Sequence, residues 1–127
     1  MMAVASAPDG AGRRVTLTLN GAPGANRMFV VIPKSADLAR IDSGGHSYTP
    51  DKDSLNPIGN IFGCLTDDCR TRSVTLSFAS KTPVEVWIGE QHYGLPPDGA
   101  KLLQARPATA SAIHAGDTTI VFGKLKL

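Results

Sequence analysis

The stretch Arg72-Ser-Val-Thr-Leu-Ser-Phe-Ala-Ser-Lys-Thr-Pro-Val-Glu-Val-Trp-Ile-Gly89 decides the fold. Val74, Leu76 and Phe78 fall on one face of an extended chain. Ser80-Lys-Thr-Pro83 interrupts it, and Val84, Val86 and Ile88 then resume on a single face. Alternation with a period of two, β-branched residues and a short polar break together predict a β-hairpin. Trp87, the only tryptophan, falls on the opposite face from Val86 and Ile88. The returning strand is therefore apolar on both sides and is expected in the middle of a sheet, with Trp87 in the core.

Outward from this stretch, residues 1–12 are mostly Ala, Gly, Ser and Pro and read as a flexible lead-in. Arg13 to Leu19 alternates Val15, Leu17 and Leu19 against Arg14, Thr16 and Thr18, the clearest single-strand signal in the chain. After the turn-rich Asn20 to Asn26, Met28 to Ile32 reads as a buried strand that Pro33 ends, since proline cannot donate to a ladder. Asp37 to Asp42 is a weaker strand with Leu38 and Ile41 out of step, as at a bulge. Ser43 to Gly63 reads as loop with brief extended pieces at His46 to Thr49 and Ile58 to Phe62. Past the proline-rich turn Gly94 to Gly99, Ala100 to Ala105 reads as a helical turn or an extended segment. Thr118 to Leu127 closes the chain as a strand with Ile120, Phe122 and Leu125 inward. Strands recurring without an amphipathic helix between them predict an all-β fold, an immunoglobulin-like or jelly-roll-type β-sandwich of about 7–9 short antiparallel strands. Residues 13–127 would form that single domain.

Composition narrows the function. At 127 residues the chain can bury a core without a metal or several disulfides, and 42% apolar with 19% charged residues is the balance of a globular domain. Thirteen Lys and Arg against 11 Asp and Glu leave a charge of only +2, with the cations scattered, so no nucleic-acid footprint is present. No apolar run approaches the roughly 18–20 residues that span a bilayer, and no membrane insertion by this chain is expected. The start Met1-Met-Ala-Val-Ala-Ser-Ala7 lacks a basic leader and an apolar stretch, and its paired methionines fit a start codon set before a domain of a longer protein.

Cys64 and Cys69 enclose Leu-Thr-Asp-Asp just before the deciding stretch. Two cysteines without a neighbouring histidine cannot complete a four-ligand zinc site. A local disulfide is the better reading and two free thiols the alternative. Closing so small a ring would restrict the unfolded chain by roughly 2 kcal/mol, enough to pin a loop. A disulfide would also place the domain outside the cytoplasm.

Other motifs fail on their own chemistry. Ile41-Asp-Ser-Gly-Gly-His46 has the residues that surround a serine-protease nucleophile, but no histidine precedes Ser43 to serve as base. It reads as a glycine turn. Asp51-Lys-Asp-Ser-Leu-Asn56 opens like a calcium loop, yet Leu55, Asn56 and Phe62 occupy positions where an oxygen ligand, a glycine and a glutamate are needed. His46, His92 and His114 are dispersed. No catalytic residue, cofactor site or metal site is assigned. Trp87, His92, Tyr93 and Arg106 are the candidates for a recognition surface, because aromatic and arginine side chains dominate contact hot spots. Against that, Tyr93 would anchor the proline turn, and Arg106 would bond loop carbonyls or pair with Asp98 or Asp117.

Tyr93-Gly-Leu-Pro-Pro-Asp-Gly-Ala-Lys-Leu-Leu-Gln-Ala-Arg-Pro-Ala-Thr-Ala110 and Ala115-Gly-Asp-Thr-Thr-Ile-Val121 resemble the C-terminal region of some bacterial di-zinc exopeptidases. That family includes aminopeptidase Y and bacterial leucyl aminopeptidase. Phe62-Gly-Cys64 and Asp68-Cys69 are similar to its cysteine-bearing loop, and the resemblance covers residues 13–127. It implies a periplasmic or otherwise extracytoplasmic accessory domain tethered to a membrane-anchored zinc aminopeptidase. The catalytic and membrane domains of that parent would be its partners, with a peptide substrate as a further one. The family's His, Asp and Glu zinc ligands have no counterpart here, so zinc is expected only in the parent's catalytic domain and not in this one. From the residues alone, a free-standing carbohydrate- or peptide-binding module using Trp87 and Tyr93 is the alternative. An outward-facing aromatic row would favour it.

Overall fold

Alternating apolar residues require two layers that share one interior, and the computed structural model, which describes residues 2–51, 58–65, 71–110 and 116–127, has that form. Its strands in chain order are β1 (Met2–Asp9), β2 (Gly12–Asn20), β3 (Ala25–Ile32), β4 (Leu38–Ser43), β5 (His46–Tyr48), β6 (Asn60–Leu65), β7 (Thr71–Phe78), β8 (Glu85–Tyr93) and β9 (Thr118–Lys126). Pro97–Gly99 is a 3₁₀ turn leading into the one short helix, α1 (Ala100–Ala105). One antiparallel sheet has the order β1-β2-β7-β4-β5 and the other β6-β3-β8-β9. The protein is an all-β sandwich. Set aside the edge strands β5 and β6, and what remains is four strands ordered 1-2-7-4 facing three ordered 3-8-9, the immunoglobulin arrangement rather than the jelly roll.

The interior comes from both layers. Val15, Leu17 and Leu19 of β2, Val74, Leu76 and Phe78 of β7, and Leu38 and Ile41 of β4 meet Met28, Val30 and Ile32 of β3 and Val86 of β8. Leu38 and Ile41 both reach the core because β4 is irregular between Leu38 and Arg40, the bulge that their spacing implied. Arg13 closes one end of this core. Its guanidinium lies 4.6 Å from the centre of the Phe78 ring, and Nη2 donates to the Thr82 carbonyl at 2.8 Å.

Three expectations are corrected. Residues 1–12 are not a lead-in: β1 pairs with β2 from Met2↔Leu19 to Asp9↔Gly12, because small side chains suit an edge strand as well as a linker. Gly12 is pressed so close to β7 that a Cβ there would lie 2.0 Å from the Phe78 carbonyl oxygen.

The deciding stretch is not a hairpin. β7 pairs with β2 and β4, whereas β8 pairs with β3 and β9, so Ala79 to Val84 carries the chain from one layer to the other. Alternation fixes which face is buried and leaves the hydrogen-bonding partner open. Beyond Pro83, Val84 exchanges backbone hydrogen bonds with Leu127 at 3.1 and 2.8 Å, which commits the returning strand to the C-terminus. As expected, β8 lies inside its sheet.

In β9 the inward set is the odd one. The register pairs Leu125 with Val86 of the core and puts Ile120 and Phe122 on the outer face with Trp87. Phe122 and Leu125 differ in parity, so without a bulge they cannot share a face.

Candidate functional site

The two outer faces of the sandwich are chemically unlike. On the five-stranded sheet the outward side chains of β2, β7 and β4 are polar or charged, and those of β1 are small. Thr16 and Thr75 share a hydrogen bond at 3.1 Å, Thr18 and Ser73 another at 3.3 Å, and Arg40 meets Asp42 at 2.8 Å. The Ser47 hydroxyl donates to Asp42 as well and, with Arg40, holds that carboxyl below its ordinary value against the opposing effect of desolvation. This is a solvated face.

The four-stranded sheet turns bulky apolar groups outward. Cross-strand pairing sets Ile61, Val31, Trp87 and Lys124 in one row and Gly63, Phe29, Gly89 and Phe122 in the next. Trp87 and Phe122 are diagonal neighbours, with ring centres 5.3 Å apart and planes tilted by 50°. Gly89 matters through what it lacks. A Cβ at that position would stand 2.5 Å from Cζ of Phe29 and 3.0 Å from Cβ of Phe122, so the bare backbone lets Phe29 lie across β8. Phe122 is 60% exposed and Trp87 39%. Over Trp87, Nζ of Lys124 sits 4.9 Å from the ring centre while pairing with Glu85 at 2.7 Å. The face is thus a continuous apolar strip with a charged rim at its β9 side.

The four surface candidates from the sequence are not brought together. Trp87, expected in the core, lies on this outer face, because Val86 and Ile88 take the inward parity and only one side of β8 meets the core. Tyr93 shares that parity but stands six residues further along β8, on the order of 20 Å away. It is 73% exposed and does not anchor the turn. His92 has the inward parity, and its Nε2 lies 2.9 Å from Glu90. Arg106 pairs with the Asp117 carboxylate, one of the two expected for it, and the Asp117 backbone carbonyl accepts from the Gly94 amide at 2.7 Å. Phe29, Val31, Ile61 and Lys124 complete the face and have no place among the sequence candidates, and Ile120 and Phe122 join it although the sequence reading turns them inward. The signal was there in β3, where Phe29 and Val31 give a strand apolar on both sides, as in β8.

Beneath the β8–β9 side a pocket of about 320 Å³ opens between the layers, walled by Leu19, Met28, Ile88 and Val121. Among the described residues that line it, Glu90 alone is charged. Burial pushes the Glu90 carboxyl up, but the Ala22 amide, at 2.9 Å, and His92 outweigh it and hold the carboxyl below its ordinary value.

Cys64 lies on β6 with its sulfur 3.8 Å from Nη2 of Arg72. Cys69 falls outside the described residues, as do residues 52–57 of the calcium-like stretch and His114. Among the described residues, no group of three or more His, Cys, Asp or Glu is gathered as a metal site would need. No helix among them is long and apolar enough to cross a membrane. Comparison with protein-family models, with curated proteins and with solved structures returns no match.

Proposed function

We propose that this chain is a non-catalytic interaction module that docks onto another protein through the outer face of its four-stranded sheet. The observation that carries this is the contrast between the two outer faces. An antiparallel sheet with one side to solvent carries polar residues there, and the five-stranded sheet does so. A contiguous apolar patch with a charged rim marks a contact surface. The accessory role implied by the resemblance to di-zinc exopeptidases makes the zinc-peptidase domain of the same polypeptide the partner. The Cys64–Cys69 disulfide and an extracytoplasmic location belong to this proposal.

Among ligand-binding alternatives, the outward Trp87 favours the free-standing module of the second reading. A sugar platform needs an open ring face with hydrogen-bonding side chains around it, whereas Lys124 covers Trp87 and Val31, Ile61 and Phe122 flank it. A protein surface fits this chemistry better. The test is calorimetric titration of the chain against the zinc-peptidase domain encoded by its gene. Binding that weakens at least tenfold in Trp87→Ser and Phe122→Thr is expected. Binding unchanged by both substitutions contradicts the docking face, and a gene without a zinc-peptidase domain ends the attribution to that family. An aminopeptidase assay of the chain with added zinc is expected to be blank, and chelator-sensitive turnover would overturn the non-catalytic role.

A further inference from the structure

Beyond the docking face, and independently of it, we infer that two copies of this chain join edge to edge through β9, in antiparallel register about a two-fold axis at Val121. Strand β9 is the outermost of its sheet and, among the described residues, pairs only with β8. An exposed strand edge is a template for another strand unless proline, a bulge, shortness or charge blunts it. Of the other edges, β1 contains Pro8 and β5 is three residues long, while β6, at six residues, is shorter than β9. β9 runs nine residues without a register shift and without proline.

The backbone dictates which residues can pair. Val84 and Leu127 exchange both of their hydrogen bonds, and the same register continues from Glu85↔Lys126 to Tyr93↔Thr118. In an antiparallel ladder such pairs alternate, so the odd residues of β9 turn their amides and carbonyls to β8. Thr118, Ile120, Phe122, Lys124 and Lys126 therefore turn theirs outward.

The side chains select the partner and the register. Ile120, Val121 and Phe122 are each more than half exposed, at the middle of the strand. The two lysines, Lys124 and Lys126, occupy its C-terminal end only. A parallel copy would set each lysine against itself, which is destabilising. An antiparallel copy removes that conflict, and a two-fold contact is self-complementary by construction. With the axis at Val121, Ile120 exchanges backbone bonds with Phe122 of the second copy, a β-branched residue facing an aromatic one. Thr118 faces Lys124 of that copy, and the two Val121 side chains meet. Moving the axis to Phe122 would instead set Lys124 against Ile120 on both sides. The joined copies form one continuous sheet, four strands from each, whose outer apolar strips run together.

Two variants test this in the intact chain. Ile120→Pro removes an amide that points away from β8, so it spares the fold and blocks the edge. Sedimentation is expected to give twice the chain mass for the unmodified protein at micromolar concentration and the single mass for Ile120→Pro, with the β-sheet circular dichroism of the two the same and the concentration dependence of melting lost in the variant. Val121→Cys places two thiols across a non-hydrogen-bonded pair, where Cα atoms stand about 4.5 Å apart, within disulfide range. Mild oxidation is expected to give a covalent dimer with Val121→Cys and not with Phe122→Cys or the unmodified chain. A unmodified protein that stays monomeric at all concentrations, or a dimer that survives Ile120→Pro, overturns the pairing. Cross-linking through Cys at 122 in preference to 121 overturns the register.

Discussion

Replacing Phe122 by threonine should cost far less stability than replacing Leu17 by alanine, although phenylalanine is the larger side chain. Leu17 is fully enclosed between the layers. Its truncation leaves a cavity lined by both sheets, and such changes cost about 2–5 kcal/mol. Phe122 is 60% exposed, so about two fifths of its surface is covered. Full burial of such a side chain stabilises by about 1.5–3 kcal/mol, and two fifths of that is about 1 kcal/mol. Solvent fills the space left behind, so no cavity cost is added, and threonine keeps the strand propensity. Urea unfolding resolves the difference as a shift in midpoint at constant slope, provided all samples share one oligomeric state. A loss of 3 kcal/mol or more from Phe122→Thr, equal to that from Leu17→Ala, would put the ring in the interior and refute the assignment of the outer face.

Other consequences follow from particular contacts. Arg13→Ala removes the cation over Phe78 and the hydrogen bond to the Thr82 carbonyl, and is expected to cost about 1.5–3 kcal/mol in the same unfolding assay; a neutral result would show that the layer crossing is not held there. Gly12→Ala forces a methyl group into the Phe78 carbonyl and should cost at least about 1–3 kcal/mol, read by thermal melting; an unchanged melt contradicts the close approach of β2 and β7. The depressed Glu90 carboxyl contributes stability that is fully present above its ordinary value of 4.5 and is lost as pH falls through the lower folded value. Glu90→Gln should therefore flatten the stability curve below that pH and leave the curve near neutrality parallel to the original; an unaltered acid limb contradicts the Ala22 and His92 contacts.

The inner surface was legible in the sequence and the outer surface was not. Val15, Leu17 and Leu19, and Val74, Leu76 and Phe78, announce their faces through strict alternation, and every one of them is buried. Leu38 and Ile41 announce a bulge by breaking it. Where a strand is apolar on both sides, alternation stops discriminating: Trp87 and Phe122 look like core residues until pairing across β8 and β9 fixes their parity. The partner of a strand is also invisible locally, because Val74 to Phe78 and Val84 to Ile88 bury the same faces whether they pair with each other or oppose each other across the interior. β1 escaped notice because alanine, serine and proline carry little periodic signal, and its place comes from the free edge of β2. The candidate site inherits these difficulties, since it is built from the positions where the pattern is ambiguous.

The four-stranded sheet turns its bulky side outward, and Trp87, as the chain's only tryptophan, reports on that face without interference. Its fluorescence in the folded, unliganded protein is expected to lie to the red of an enclosed indole, as suits a ring 39% exposed, and to be quenched by acrylamide without unfolding. A strongly blue-shifted emission that resists the quencher until the protein unfolds would contradict it.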